Sequence, residues 1–395
     1  MRWLLLSLAT AAACSPVFSQ SDPVATQPYA TLDRQSVSYL GPARAPEKDL
    51  PDGVAVIGMI LPLKGPQQFE GKAILAAAQL SLEAEQSLGP LADGRKLALV
   101  ARDESGPWGQ ASSQILALVE QDHALTILTS TNGNSAHLAE QIANKIGFPI
   151  LTLSSDPATT QTNIPWLFRL GPSDTDQARA FCQRIYGQLR LQKVLLIVQM
   201  DHDGRIGGAE FEKAAKDFHA TAPARLDLAA SAPNLESVAE ILKTKSPDAI
   251  VIWTDSLLAG ELLPLLHKMR PSTPVFICQK AAQLGDDVES SSQLFTVDSL
   301  QKGQEAARDK FQQLYLAQTA TTPSIAAAEA YEAVHLIAAA LRGAGANRVQ
   351  LRDYFANSGK FHNAAGIVRF DPAGNSLQEF AIVKLHDTPA QIAWQ

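Results

Sequence analysis

The sequence predicts an α/β protein of two lobes, each built on a mostly parallel sheet. Three observations predict it. Short apolar runs alternate with helical patterns from Val54 to Cys278, the βα alternation of a parallel sheet covered on both faces. Several runs are apolar throughout, as strands buried on both sides are. The runs end in loops rich in glycine, hydroxyls and amides, such as Thr129-Ser130-Thr131-Asn132-Gly133-Asn134-Ser135. In open parallel sheets, ligands sit beyond the carboxyl ends of the strands, where such loops lie.

The elements follow in order. Val54–Leu63 reads as strand, Gly71–Glu85 as an Ala-rich helix, Lys96–Arg102 as strand and Trp108–Gln121 as helix. Leu125–Ser130 and Pro149–Ser154 are strands around the helix Ser135–Ile146. A second cycle runs through helix Asp174–Leu189, strand Lys193–Gln199 and helix Gly207–Phe218. Leu226–Ala229 and Ala249–Thr254 are strands around helix Leu235–Thr244, and helix Leu257–Met269 precedes strand Val275–Cys278. Gly303–Gln318 and Ser324–Gly343 are long and Ala-rich, with strong intrinsic helix preference. The tail Gly366–Asp371, a Pro-Ala-Gly-Asn turn and Glu379–Leu385 read as a β-hairpin.

At 395 residues the chain has length for two domains. A formal net charge of -7 argues against nucleic acid or an anionic membrane surface as partner. Met1-Arg2, then Trp3–Leu8, then Ala9–Cys14 is one positive charge, a short apolar run and small residues, which reads as a secretory signal. Two processing readings stand. Ala11-Ala12-Ala13-Cys14 resembles a lipoprotein signal that leaves Cys14 lipidated. Val17-Phe18-Ser19 suits a general signal peptidase cutting before Gln20. Both place the protein outside the cytoplasmic membrane. Ser21–Asp52, without periodicity, reads as an exposed leader.

Of three cysteines, Cys14 belongs to the signal. Cys182 and Cys278 are either bridged, as an oxidising compartment permits, or separately buried as small apolar residues. No His/Cys cluster has zinc-ligand spacing, so no metal site is expected. Catalytic signatures are missing as well. The sequence holds no Gly-x-Ser-x-Gly elbow, no Gly-x-x-x-x-Gly-Lys-Ser/Thr loop and no Gly-x-Gly-x-x-Gly after the first strand. An enzyme is not expected, nor a cofactor.

Val54–Leu63 with Lys64-Gly65-Pro66 and an Ala-rich helix, then Phe148–Pro157, then Trp166–Arg169, resemble in that order the type I periplasmic binding proteins. The nearest branch is the one for branched-chain amino acids (Leu, Ile, Val) that serves ABC importers. The resemblance runs from about Val54 to about Leu385. It implies two Rossmann-like lobes joined by a three-strand hinge, with crossings near Gly171, Gly285 and Gly366. The implied division is a signal at 1–19 and a leader at 20–52. An N-terminal lobe follows from 53–171 plus 286–366, and a C-terminal lobe from 172–285 plus 367–395. The implied role is a monomeric extracytoplasmic solute-binding protein. It takes an amino acid or related carboxylate or amide as lobes close, and docks on a membrane permease. The alternative is a sensing or partner-binding module of the same fold.

The resemblance also points to residues. Phe69 matches an aromatic that lines the cleft in relatives, or simply packs its loop. Asn134 and Ser135 stand where helix amides can hold a carboxylate, Ser135 also suiting an N-cap. Ser154 and Ser155 end the next strand, where the family contacts an amino acid's ammonium and carboxylate. The turn is one residue shorter than usual, so both serines stand as candidates. Asp174 matches an acid facing the ligand's ammonium, or begins a helix. Asp203 occupies the place of a usual aromatic and either adds a charged contact to the ligand or belongs to a solvated loop; the departure argues against copying Leu, Ile or Val as ligand. Asp255, with Ser256, ends a second-lobe strand where the family has an acid. His137 reads as a surface or packed histidine.

Overall fold

Strand β1 (Val54–Leu61) sorts its side chains by the two-residue period of an extended chain. Ala55, Ile57, Met59 and Leu61 pack with α1 (Gln68–Ser87), α9 (Ile325–Ala344) and α10 (Arg348–Ala356). Val56 and Ile60 face the other way, onto α2 (Gln110–Glu120) and α3 (Gly133–Ile146). One strand thus supplies both faces of a covered sheet. The sheet orders as β2-β1-β3-β4-β5 and is parallel throughout. Its other strands are β2 (Lys96–Asp103), β3 (Thr126–Thr129), β4 (Ile150–Thr152) and β5 (Leu167–Arg169). Helix α1 crosses tightly over the end of β1, because a Cβ at Gly71 would run into the Pro62 carbonyl. Glu85 of α1 ties α9 down, meeting His335 Nδ1 at 2.6 Å and accepting from Arg342 Nε at 3.4 Å.

The computed structural model describes residues 50, 53–107, 109–162, 164–284, 293–299, 305–357 and 369–385. The expected signal, Cys14, and the leader apart from Leu50 lie outside them, as do Gly285 and Gly366. All the described residues fall within one compact unit. Among them, no helix is long and apolar enough to cross a membrane.

The second sheet orders as β11-β10-β9-β8-β6-β7. Its strands are β6 (Val194–Gln199), β7 (Ala224–Leu228), β8 (Ala249–Trp253), β9 (Val275–Ile277), β10 (Leu294–Ser299) and β11 (Phe380–Lys384). Pairing is parallel except between β10 and β11. Helices α4 (Asp174–Cys182), α5 (His202–Asp217), α6 (Leu235–Lys245) and α7 (Ser256–Met269) cover it around one continuous core. Phe181 and Phe211 flank Trp253, with ring centroids 5.7 and 6.3 Å away. Cys182 and Cys278 are free and buried, and burial pushes each thiol up to about 12. The bridge weighed from the sequence is not formed.

Several expectations shift. Leu294–Ser299, assigned to the N-terminal lobe, pairs with β9 and β11, so the return to the first lobe falls beyond Ser299. Helix α8 (Glu305–Thr319) then packs through Phe311 and Tyr315 against α1 and α9. Of the expected hairpin, Gly366-Ile367-Val368 lies outside the described residues. The hairpin closes about its turn, where Phe370 and Ser376 form an antiparallel bridge and the Leu377 amide donates to the Arg369 carbonyl at 2.8 Å, while Phe380–Lys384 pairs with β10 instead. The stretch before it lies along β5, where Arg169 donates its amide to the Gly374 carbonyl at 2.8 Å and accepts from the Ser376 amide at 3.1 Å. β5 is a sheet edge, and the Asp371–Asn375 turn satisfies its exposed backbone groups. Helix α5 begins at His202 rather than Gly207, because Asp201 caps it by accepting from the Gly204 amide at 2.7 Å.

Candidate functional site

The loops that follow β3 and β4, together with the start of α1, meet the loops after β6, β8 and β9. Direct bonds cross between the lobes. The Gly133 amide donates to Asp203 Oδ1 at 3.2 Å, Gln67 Nε2 to Asp255 Oδ2 at 3.4 Å, and His202 Nε2 meets Asp156 Oδ2 at 2.7 Å.

The first lobe brings hydroxyls and buried acids. Glu70, in the first turn of α1, accepts from the Thr131 hydroxyl. Glu104 follows β2 and accepts from Ser130 Oγ at 2.7 Å, with the Ser135 hydroxyl close by. Burial pushes Glu70 upward and Glu104 up to about 7, because a carboxylate loses its water there and the hydroxyls only partly replace it. The cap of α3 is Asn132, whose Oδ1 accepts from the amides of Asn134 at 2.9 Å and Ser135 at 3.4 Å. Ser135 is therefore not the cap, and its side chain is left for Glu104.

The second lobe brings charge. Lys280, in the loop after β9, is half-buried and pairs with Asp203 in the first turn of α5. Burial disfavours its ammonium, but Asp203, Asp201 and Glu70 outweigh that and push the group above its ordinary range. Asp255 caps α7 by accepting from the Leu258 amide at 2.9 Å. It also exchanges two bonds with Gln199, at 2.9 Å from Nε2 and 2.7 Å to Oε1. A Cβ at Gly133 would run into the Asp203 carboxylate, so a larger residue there would make that carboxylate shift away.

The hinge side is different. The Asp174 amide donates to the Ser155 carbonyl at 2.7 Å, and Trp253 Nε1 donates to Asp174 Oδ1 at 3.2 Å. Burial pushes Asp174 up to about 8, against the pull of Ser155 and Trp253. Ser173, not Asp174, caps α4, in a capping box with Asp176. Gln279 Nε2 donates to Glu329 Oε1 at 3.3 Å, and burial drives the Glu329 carboxyl far above its ordinary range.

Ser135, Asp203 and Asp255 thus come together about the cleft. Ser154, Ser155 and Asp174 gather beside the hinge, with Ser154 Oγ accepting from the Asp156 amide at 3.3 Å. Phe69 is 39% exposed, and Asn134 is exposed with its backbone amide on Asn132. Glu70, Glu104, Gln199 and Lys280 had no signal in the sequence, since each is marked only by a partner distant along the chain. His137 is not a plain surface histidine. Its Nε2 lies 3.0 Å from Asp156 Oδ2 and its Nδ1 3.1 Å from Glu140 Oε2, and these two contacts push it up to about 9.

No curated protein matches this sequence. Solved structures do. The branched-chain amino acid transporter substrate-binding protein LivJ of Streptococcus pneumoniae, in complex with isoleucine, is 22% identical with a TM-score of 0.74, over 84% of this chain and 96% of that one. An ABC-transporter solute-binding protein of R. palustris in complex with benzoate is 18% identical with a TM-score of 0.74, over 84% and 93%. The leucine-binding protein LivK of Thermotoga maritima is 18% identical with a TM-score of 0.71, over 84% and 96%. At these identities the likeness is one of fold, two α/β lobes with mostly parallel sheets. A family model described as periplasmic binding protein matches residues 55–388. That match runs through both lobes and every cleft residue named above, and the chain belongs to the periplasmic binding protein family.

Proposed function

We propose that this chain is the solute-binding component of an ABC importer, working outside the cytoplasmic membrane and handing one small polar ligand to a membrane permease. The ligand class is an amino acid or a related carboxylate or amide. The observation that carries this reading is the cleft itself. Lys280 presents a half-buried cation, hydroxyls of Ser130, Thr131 and Ser135 stand opposite, and Asp203 and Asp255 offer acceptors to an amino group. A ligand carboxylate would pair with Lys280 and accept from the hydroxyls. Isoleucine and benzoate, held by two of the structural neighbours, both carry a carboxylate. Family membership supports the extracytoplasmic place and a binding rather than catalytic role. Cleavage before Gln20 or lipidation of Cys14 is compatible with it. In this reading the protein is a monomer whose lobes hinge about the chain crossings, and Ser154, Ser155 and Asp174 serve the hinge side of the ligand.

A thermal-shift screen tests it, using amino acids, small carboxylates, amides, polyols and aromatic acids. A ligand at a hundred times its dissociation constant adds about 2.7 kcal/mol of stability. The expected result is a hit among amino acids or carboxylates that Lys280→Met weakens. Hits confined to uncharged polyols would contradict the ligand class.

A further inference from the structure

At one edge of the interface two imidazoles converge on a single carboxylate oxygen. His137 Nε2 lies 3.0 Å from Asp156 Oδ2, and His202 Nε2 lies 2.7 Å from the same atom. The three ligand atoms all lie within 4.8 Å of one another. His137 belongs to α3 and Asp156 follows β4, both in the first lobe, whereas His202 opens α5 of the second.

We infer that His137, Asp156 and His202 form a binding site for a divalent first-row transition ion, zinc being the best match, that clasps the two lobes together. The donor set supports this. Two imidazole nitrogens and one carboxylate oxygen suit zinc, which binds them at about 2.0–2.2 Å and leaves a fourth tetrahedral position for water or for a ligand. Tetrahedral bonds of that length set donors about 3.3 Å apart, so the two spacings to Asp156 Oδ2 must open slightly from 3.0 and 2.7 Å, while the imidazole nitrogens, within 4.8 Å of each other, settle toward the same value.

The surroundings hold the donors in place. Asp156 Oδ1 is engaged by the Ala158 amide at 2.9 Å, which leaves Oδ2 to the histidines. Behind His137, the buried Glu140 carboxylate lies 3.1 Å from Nδ1. A carboxylate on the far nitrogen fixes the tautomer with its lone pair on Nε2 and makes that nitrogen a better ligand. Glu140 is itself held by the Thr162 hydroxyl. A point one Cβ bond from Gly133 lies 3.2 Å from Asp156 Oδ2 and 3.2 Å from His202 Cδ2, and closer still to Asp203 Oδ1. The Asp203 carboxylate therefore stands beside the donors and adds negative charge.

Because the donors come from both lobes, an ion held by all three binds the closed arrangement better than an open one and shifts the population toward closure. This consequence rests on the two-lobe geometry alone, whatever solute the cleft takes.

The test uses untagged protein, stripped with chelator, offered zinc, dialysed and assayed for metal by mass spectrometry. Cobalt absorption in the visible gives a second, spectroscopic readout. One bound equivalent is expected in the wild type and in His219→Ala, an exposed histidine elsewhere. His202→Ala and His137→Ala should each lose it. Glu140→Gln should weaken binding by about 10- to 100-fold. No retained metal in the wild type overturns the inference and leaves an ion-paired His–Asp–His cluster. Retention that His202→Ala leaves unchanged overturns it too, by placing the ion elsewhere. Neither outcome depends on a variant that fails to fold, since the wild type alone decides the first. Circular dichroism checks the variants for the second.

Discussion

The two faces of the cleft are built on opposite electrostatic terms. The first lobe offers hydroxyls around Glu70 and Glu104, whose burial favours the protonated form. The second offers the Lys280–Asp203 pair, in which Asp203 and its acidic neighbours keep the Lys280 ammonium charged. The difference follows from burial and partners together: the acids among hydroxyls are the more deeply buried, while the half-buried Lys280 has a carboxylate directly beside it. The second face carries the ion pair. The first supplies directional hydrogen bonds that cost little when a ligand replaces them.

Removing the cation should break this contrast most severely. Lys280→Met leaves Asp203, Asp201 and Glu70 without their shared positive neighbour, and for this half-buried pair the cost should fall at the low end of the buried-pair range, about 3 kcal/mol. Urea unfolding should show that loss, with Lys280→Met/Asp203→Asn recovering part of it. A single variant as stable as the wild type would mean the pair is solvated.

The first face should show itself through pH. Glu104 sits at about 7 in the fold against an ordinary 4.5. Its folded value is raised, so the stability it contributes is fully present below the unfolded value and is lost as pH rises through 7. Asp174, raised to about 8, acts in the same direction. Unfolding midpoints should therefore fall between about pH 5 and pH 8. Glu104→Gln should remove up to about 3 kcal/mol of that fall, at 1.36 kcal/mol per unit. A slope unchanged in the variant would contradict the assignment.

The smallest expected effect lies at the helix start that joins the faces. Asn132→Ala frees the Asn134 and Ser135 amides and should cost about 1 kcal/mol, measured by thermal unfolding. It should also loosen the neighbouring contact between the Gly133 amide and Asp203, seen as faster amide exchange at Gly133.

Much of the fold was readable because the strands carry their own signal. Val194–Gln199 and Ala249–Trp253 are apolar throughout, and only a sheet covered on both faces buries such runs. β10 escaped because Leu294-Phe295-Thr296-Val297-Asp298-Ser299 mixes apolar and polar residues, and its burial comes from β9 on one side and β11 on the other. α10 escaped because Arg348–Ala356 is short and includes Arg352, buried by a bond to the Pro165 carbonyl that sequence does not reveal. The start of α5 was hidden because Asp201-His202-Asp203-Gly204 reads as a turn, and a capped first turn uses the same residue types.

The site was legible in its first-lobe loop, where Ser135 and its neighbours follow a strand and open a helix. It was hardest to read where function depends on pairing. Lysine is almost never fully buried without a partner, and Lys280 finds its own 77 residues away. The His137, Asp156 and His202 group has the same character. Its members come from three separated segments, so no spacing rule could find them.

The central claim is that the lobes close on a small polar solute, and small-angle scattering tests it most directly. Scattering would be recorded on the purified protein alone and with a saturating solute whose binding has been verified by calorimetry. Closure predicts a smaller radius of gyration with the solute than without it. An unchanged radius with the solute demonstrably bound would contradict closure.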